Sequence, residues 1–239
     1  MDESKPQTGR EEGSPADWRD ADAYLFDIDG TLLVSRDRVH WQALHQAMLE
    51  AYGVDTTIEG IPYHGMTDLG ILRAALARVG IAGLTFDLKL PYALSVVCRE
   101  VEANRQWMVP EVCPGIPQLL ARLAAENKLL GVASGNLEAV GWNKIQAAGL
   151  REYFRFGCFG DHSETRTAIF ERAVEEVRHR LGPPARICFI GDTPEDIWAA
   201  RRVDATIIAV STGHFTSPEL SCHRPDACVA SCAELLAEL

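Results

Sequence analysis

The sequence predicts the α/β class: a doubly wound parallel sheet interrupted once by an all-helical insertion. Three observations predict it. An apolar run, AYLFDIDG, ends in two acids and a glycine, as a buried parallel strand does at its carboxyl end. The next stretch, of about 75 residues, shows helical periodicity and no strand pattern. After Cys113-Pro114-Gly115, strand and helix patterns alternate to the C-terminus, which calls for a parallel sheet with helices on both faces.

The elements follow in order. Residues 1–20 are polar, carry Gly, Pro and Ser without periodicity, and read as a disordered leader. Residues 21–34 and 112–239 form the α/β core, and residues 35–111 form the helical cap. In the cap, Val39, Leu44, Met48 and Ala51 share a helix face that stops at Gly53, and a second helix opens at Thr67-Asp68 and stops at Gly80. Leu94, Val97, Val101 and Asn104 suggest a third helix, with Pro91 close to its beginning. In the core, IPQLLARLAAEN leads into KLLGVA, and a helix near LEAVGWNKIQAAG leads into FGCFG. A long helix from about Thr167 to Leu181 precedes RICFIG, and a helix after Pro194 leads into ATIIAV; a short strand and helix end the chain.

Composition narrows the function. The 239 residues carry 23 Lys+Arg against 34 Asp+Glu, a formal net charge of −11. That balance disfavours broad binding of nucleic acid or anionic membranes, while a small cationic pocket can still hold an anion. An apolar fraction of 47% with no uninterrupted apolar run of about 18 residues excludes a membrane-spanning helix. The charged opening has no apolar centre of a secretory signal, so the expected place is the cytoplasm, as a monomer or homodimer. Cys98, Cys113, Cys158, Cys188, Cys222, Cys228 and Cys232 then read as reduced thiols. Cys222, His223, Cys228 and Cys232 match no common zinc spacing.

The proposed strand ends carry the chemistry. The first ends in Asp27-Ile28-Asp29-Gly30-Thr31, the second in Ser134-Gly135-Asn136, and the fourth in Gly191-Asp192-Thr193-Pro194-Glu195-Asp196. Open parallel sheets bind ligands beyond these ends. Taken singly, Asp192 reads as a turn former and Ser134 as a helix cap. Taken together, several carboxylates on one edge repel unless a cation compensates, and magnesium, which prefers carboxylate and carbonyl oxygens, suits them. A carboxylate can attack phosphorus, a second can trade protons with the leaving group and water, and Ser134 with the amides of Gly135 and Asn136 can grip phosphoryl oxygens.

These motifs resemble a known family. DIDGT, VASGN and GDTPEDIWAA look like motifs one, two and four of the haloacid dehalogenase superfamily, and the resemblance runs from Ala21 to the C-terminus. YHGMTDLGIL and CPGIPQLLARL resemble its phosphoglycolate phosphatase-like branch, whose Rossmann-like core carries a helical C1-type cap after motif one. The resemblance implies Asp27 as nucleophile and Asp29 as acid/base. It implies magnesium held by the Asp27 carboxylate, the Asp29 carbonyl and Asp192, with Asp196 in support, and phosphate bound by Ser134, Gly135 and Asn136. The family's usual lysine of motif three is missing from GDHSETRTAIF; Arg166 occupies its place, where a guanidinium can grip phosphate, or else form a surface salt bridge.

Within the family, Asp29 argues for phosphoryl transfer, because displacing halide needs no acid. Lys89 is the one lysine between Ser35 and Glu111, which makes a lysine-imine chemistry weak. The expected activity is therefore a magnesium-dependent phosphatase acting on a small phosphorylated metabolite such as phosphoglycolate. A sugar-phosphate mutase sharing every motif, or an idle binding protein on the same fold, are the alternatives. Arg36, His64 and Thr67 are the candidates for substrate selection from the cap.

Overall fold

The computed structural model describes residues 17–238. The sheet is built from runs rich in Val, Ile, Leu and Phe that are buried on both faces, as central parallel strands require. β1 (Ala23–Phe26) and β6 (Ile187–Gly191) are buried along their whole lengths, and β4 (Leu129–Ala133) and β7 (Thr206–Val210) at all but their first residues. With β5 (Phe156–Cys158) and β8 (Ala227–Val229) they form one parallel sheet in the order β5-β4-β1-β6-β7-β8. β1 lies at its centre, with β4 on one side and β6 on the other. The chain winds outward in opposite directions from this point, the arrangement that opens a crevice at the carboxyl ends.

Helices cover both faces. α4 (Ile116–Ala125) puts Ile116, Leu119, Leu120 and Leu123 into one apolar layer, and α6 (Arg166–Leu181) puts Ile169, Phe170, Ala173 and Val177 into the other. α5 (Glu138–Ala147), α7 (Pro194–Arg202), α8 (Ser217–Cys222) and α9 (Cys232–Leu235) complete the core. Among the described residues, no helix is long and apolar enough to cross a membrane.

A two-stranded antiparallel ribbon carries the chain out of the core and back. β2 (Leu33–Ser35) pairs with β3 (Pro110–Val112), register Leu33 to Val112. Between them lie α1 (Val39–Tyr52), α2 (Asp68–Ala77) and α3 (Gly83–Asn104). α1 ends where Gly53 takes a left-handed φ of 73° and returns its amide to the Leu49 carbonyl. The apolar cluster of these helices also takes in Leu137 and Val140 of the α5 region, so the insertion packs directly on the core.

Two features depart from the sequence reading. Pro91 sits well inside α3 rather than near its start, because the helix extends back to Gly83. Phe86, fully buried in the cap's apolar cluster, anchors that extra length, while Leu84 and Leu88 point outward and blur the periodicity. Residues 1–16 of the expected leader lie outside the described residues. Residues 17–20 include an ordered turn: Trp18–Asp20 form a 3-10 turn, and Trp18 is buried while its neighbours are exposed, its carbonyl accepting from the Tyr24 hydroxyl at 2.8 Å.

Candidate active site

Three neighbouring strands deliver the motif residues. Asp27 follows β1, Ser134 follows β4 and Asp192 follows β6, so each leaves the sheet beside the next, at the spacing of about 4.8 Å between adjacent strands. The ladder carries on into these ends: the Asp27 amide donates to the Ile190 carbonyl at 3.0 Å, and the Ser134 amide to Cys158 at 3.0 Å. Gly30 turns the chain with φ 82°, and a Cβ there would overlap the Asp192 carboxylate, so both conformation and space demand glycine. Gly213, in the loop after β7, also lies so close to Asp192 that a Cβ would overlap its carboxylate, and Thr212 Oγ1 donates to the Gly30 carbonyl at 2.5 Å.

The carboxylates converge. Asp27, Asp192 and Asp196 each bring an oxygen to within 4.8 Å of the others, and all three are buried. Asp196 Oδ2 accepts from Thr193 N at 3.1 Å and Thr193 Oγ1 at 2.6 Å, closing a capping box at the start of α7. Burial, and then the charges of Asp27 and Asp196, push the Asp192 carboxyl well above its ordinary range. Burial and Asp27 push Asp196 up to about 6, against the opposing pull of Arg166. A buried group of carboxylates with excess negative charge fits a hard divalent cation. The Asp29 side chain is not part of this group.

Two cations divide the acids between them. Arg166, the first residue of α6, places Nη1 and Nη2 on the two oxygens of Asp27 at 3.1 and 2.7 Å, with Nε 2.9 Å from Asp196 Oδ1. It is buried, which rules out the surface salt bridge as its setting. Burial works against its charge, but Asp196 and Asp27 more than offset that and raise its pKa. Lys144, on α5 and equally buried, donates to Asp29 Oδ2 at 2.6 Å. Asn136 Nδ2 donates to the same oxygen at 3.1 Å. Burial alone would raise the Asp29 pKa; the ammonium of Lys144 and its hydrogen bond, with His40 and Asn136, hold it below the ordinary value.

The cap meets the core at the second motif. Gly135 lies so close to the Met66 carbonyl that a Cβ would strike it at 2.5 Å, and its own carbonyl accepts from the Asp68 amide at 2.9 Å. The buried Asp68 carboxylate accepts in turn from the Leu137 amide at 2.8 Å and stands 3.2 Å from His40 Nε2. Between cap and sheet edge lies a cavity of about 750 Å³ whose walls include Asp27, Asp29, Ser134, Asn136, Lys144 and Arg166.

Of the cap candidates, Arg36 and His64 line the cavity. Arg36 is mostly exposed and pairs with Glu111 at 2.6 Å across the β2–β3 ribbon. His64 stacks on His214 of the core, ring centroids 4.1 Å apart and ring planes nearly parallel. Thr67 lies elsewhere: buried, it caps α2 by accepting from Gly70 N at 3.1 Å, and it is absent from the cavity wall. Residues that the sequence reading did not place are Asp68, Thr212 and the contact of Lys144 with Asp29. The only signals were an acid at a helix start, a small-residue STG run after a strand, and a lysine seven positions into a helix.

The family model of haloacid dehalogenase-like hydrolases matches residues 21–204. The phosphoglycolate phosphatase of Synechococcus elongatus is 28% identical over 219 residues, 90% of this chain and 95% of that protein. CbbY from Rhodobacter sphaeroides, solved with xylulose-(1,5)bisphosphate, superposes with a TM-score of 0.69 at 22% identity, covering 90% of this chain and 96% of that one. A predicted phosphoglycolate phosphatase from Haemophilus somnus gives 0.66 at 18% identity, covering 91% and 97%. With its six-stranded parallel sheet, its helical insertion and the family match spanning most of its length, the chain belongs to the haloacid dehalogenase-like hydrolases.

Proposed function

We propose that this hydrolase is a magnesium-dependent phosphatase that cleaves a small phosphorylated metabolite through an aspartyl-phosphate intermediate. The observation that carries the reading is the meeting of Asp27, Asp192 and Asp196 beside Ser134, Asn136 and Arg166 at the carboxyl edge of the sheet. The full-length likeness to a phosphoglycolate phosphatase supports the substrate class.

The residues divide the work. Asp27 attacks phosphorus; as its bond to phosphorus forms, the bond to the ester oxygen breaks, and that oxygen takes a proton from Asp29. Asp29 acquires that proton from solvent when the anionic substrate beside it opposes the pull of Lys144. Water then attacks the phosphoryl group, gives its proton to Asp29, and the bond to Asp27 breaks to release phosphate. Arg166 offsets the charge that Asp27 presents to an anionic substrate. Ser134, with the Gly135 and Asn136 amides, holds the phosphoryl oxygens. Asp27, the Asp29 carbonyl and Asp192, with Asp196 behind, would hold Mg²⁺. When bound, the ion supplies positive charge to the phosphoryl oxygens. The insertion, residues 35–111, serves as a cap that excludes water and selects the substrate through Arg36 and His64. All seven cysteines are free, which suits the reducing cytoplasm.

The test is hydrolysis of p-nitrophenyl phosphate and of a panel of phosphorylated metabolites by the purified protein. The cavity admits bodies larger than phosphoglycolate, so the panel should extend to sugar phosphates and bisphosphates. EDTA should abolish turnover, Mg²⁺ should restore it, and Ca²⁺ should support it poorly, because calcium prefers more ligands in looser geometry. Full activity after exhaustive chelation overturns the metal assignment. Conversion of a sugar phosphate to its isomer without net release of phosphate would instead identify a mutase.

A further inference from the structure

The two carboxylates of Asp27-Ile28-Asp29 have different counter-ions. Arg166 takes both oxygens of Asp27, whereas Lys144 and Asn136 converge on a single oxygen of Asp29, Oδ2. The other oxygen, Oδ1, accepts a single hydrogen bond among the described residues, from the Ser35 hydroxyl at the 3.5 Å limit. The Asp29 side chain is 42% exposed and lines the cavity, while the Lys144 side chain is 5% exposed and comes to it from α5 behind. One oxygen is thus anchored from the core and the other is left for a ligand.

A buried lysine is costly where packing alone is wanted; a leucine or methionine would fill the same space without desolvating a charge. The cost makes sense if the side chain does something that packing cannot. An unanchored Asp29 would be free to turn toward Arg166 or toward a cation at the Asp27 group, since each offers a carboxylate a competing partner.

We propose that Lys144 is a positioning residue for proton transfer at the leaving-group oxygen: it anchors Oδ2 of Asp29 and so presents Oδ1 to the bond that breaks. The proposal rests on the acid/base reading of Asp29 given above. Lys144 keeps its own proton throughout; the proton that moves is the one exchanged between Asp29, the ester oxygen and water. Asn136 shares the anchoring, but as a neutral amide it gives the weaker hold.

The experiment compares four proteins in the presence of Mg²⁺: wild type, Lys144→Met, Asp29→Asn and the double variant. Each is assayed on p-nitrophenyl phosphate, whose leaving group scarcely needs a proton, and on the alkyl phosphate turned over best in the metabolite screen. Lys144→Met should lower kcat on the alkyl phosphate about 10–100-fold and on p-nitrophenyl phosphate less than about threefold, a share of the general acid–base contribution. Lys144→Arg should recover part of the loss on the alkyl phosphate. In the Asp29→Asn background, Lys144→Met should cost less than about twofold more, because the two residues act as one unit. The ratio between substrates does not depend on how much of a variant is folded, so a purely structural role leaves it at the wild-type value. Equal losses on both substrates, or an undiminished loss in the Asp29→Asn background, overturn the positioning role alone. If Asp29→Asn itself loses activity equally on both substrates, the acid/base reading falls first and takes the role of Lys144 with it.

Discussion

At the sheet edge, the charged groups are tied to neighbours, and the acids other than Asp29 are buried: Asp27 to Arg166, Asp196 to Thr193 and Arg166, Asp192 to Thr31 Oγ1 at 3.3 Å, and the half-exposed Asp29 to Lys144. Across the cavity, the insertion meets the core through Asp68 and through the His64–His214 stack, and several of its other side chains are exposed or held within the insertion. Arg36 is mostly exposed, Arg38 lies over the Trp41 ring, and Tyr63 and His64 stack in sequence. The first wall is fixed by strands that converge whatever the substrate is, and the second by helices whose surface can vary without disturbing the sheet. Under the proposed function, chemistry is thereby separated from selection, on opposite sides of one cavity.

Substitutions test that separation most sharply where the effect is largest. Asp27→Asn should lower kcat by about 10⁴-fold or more on every substrate alike, since an amide is a poor nucleophile, while thermal unfolding shifts little. A loss confined to one substrate class would erase the distinction between the walls.

Arg166→Ala should be the next largest, and it should show in stability as well as in rate. Removing the guanidinium leaves Asp27 and Asp196 buried without their partner, at a cost of about 3–5 kcal/mol. Denaturant unfolding should register that loss at neutral pH, with part of it recovered on adding Mg²⁺, and kcat/KM should fall at least about tenfold. Unchanged stability would mean that the acids do not need their counter-ion.

The smallest effect belongs to the cap wall. Burial, then the neighbouring His214, depress the His64 pKa; Tyr63 and Phe215 pack around the pair, and the Glu219 carboxylate senses His214 from α8. The native state therefore binds fewer protons at His64 than the unfolded chain does. The stability this contributes is present above the ordinary histidine value of 6.5 and is lost as pH falls through it toward the depressed native value. Cap protection in hydrogen exchange should weaken slightly between neutral and mildly acidic pH, and His64→Gln should flatten that change. An equal slope in the variant would remove His64 from the account.

Much of the first wall was readable in advance, because it is made of short motifs set immediately after apolar runs. Asp27, Ser134 and Asp192 become neighbours as soon as β4, β1 and β6 are placed side by side. The missing lysine also directed attention to Arg166, which the fold buries at this edge, where its three contacts are with acids. What escaped were pairings between distant elements with no local signature. Lys144 in GWNKIQ reads from sequence as a substitute cation for phosphate should Arg166 not serve; its pairing with Asp29 shows only once α5 is packed beneath it. Leu137 and Val140 show the same limit: core residues by sequence position, they belong to the cap's apolar cluster. Thr67 failed as a selector for a local reason, since a threonine before a helix is claimed by the backbone.

The central claim is that phosphate passes through Asp27, and rapid acid quenching during turnover tests it most directly. Peptide mass spectrometry of the quenched enzyme should find a phosphoryl group on Asp27. It should disappear when EDTA is added before substrate, and it should be absent from Asp27→Asn. Phosphate on any other residue, or full turnover with no phosphorylated peptide under conditions that preserve acyl phosphates, would contradict the mechanism.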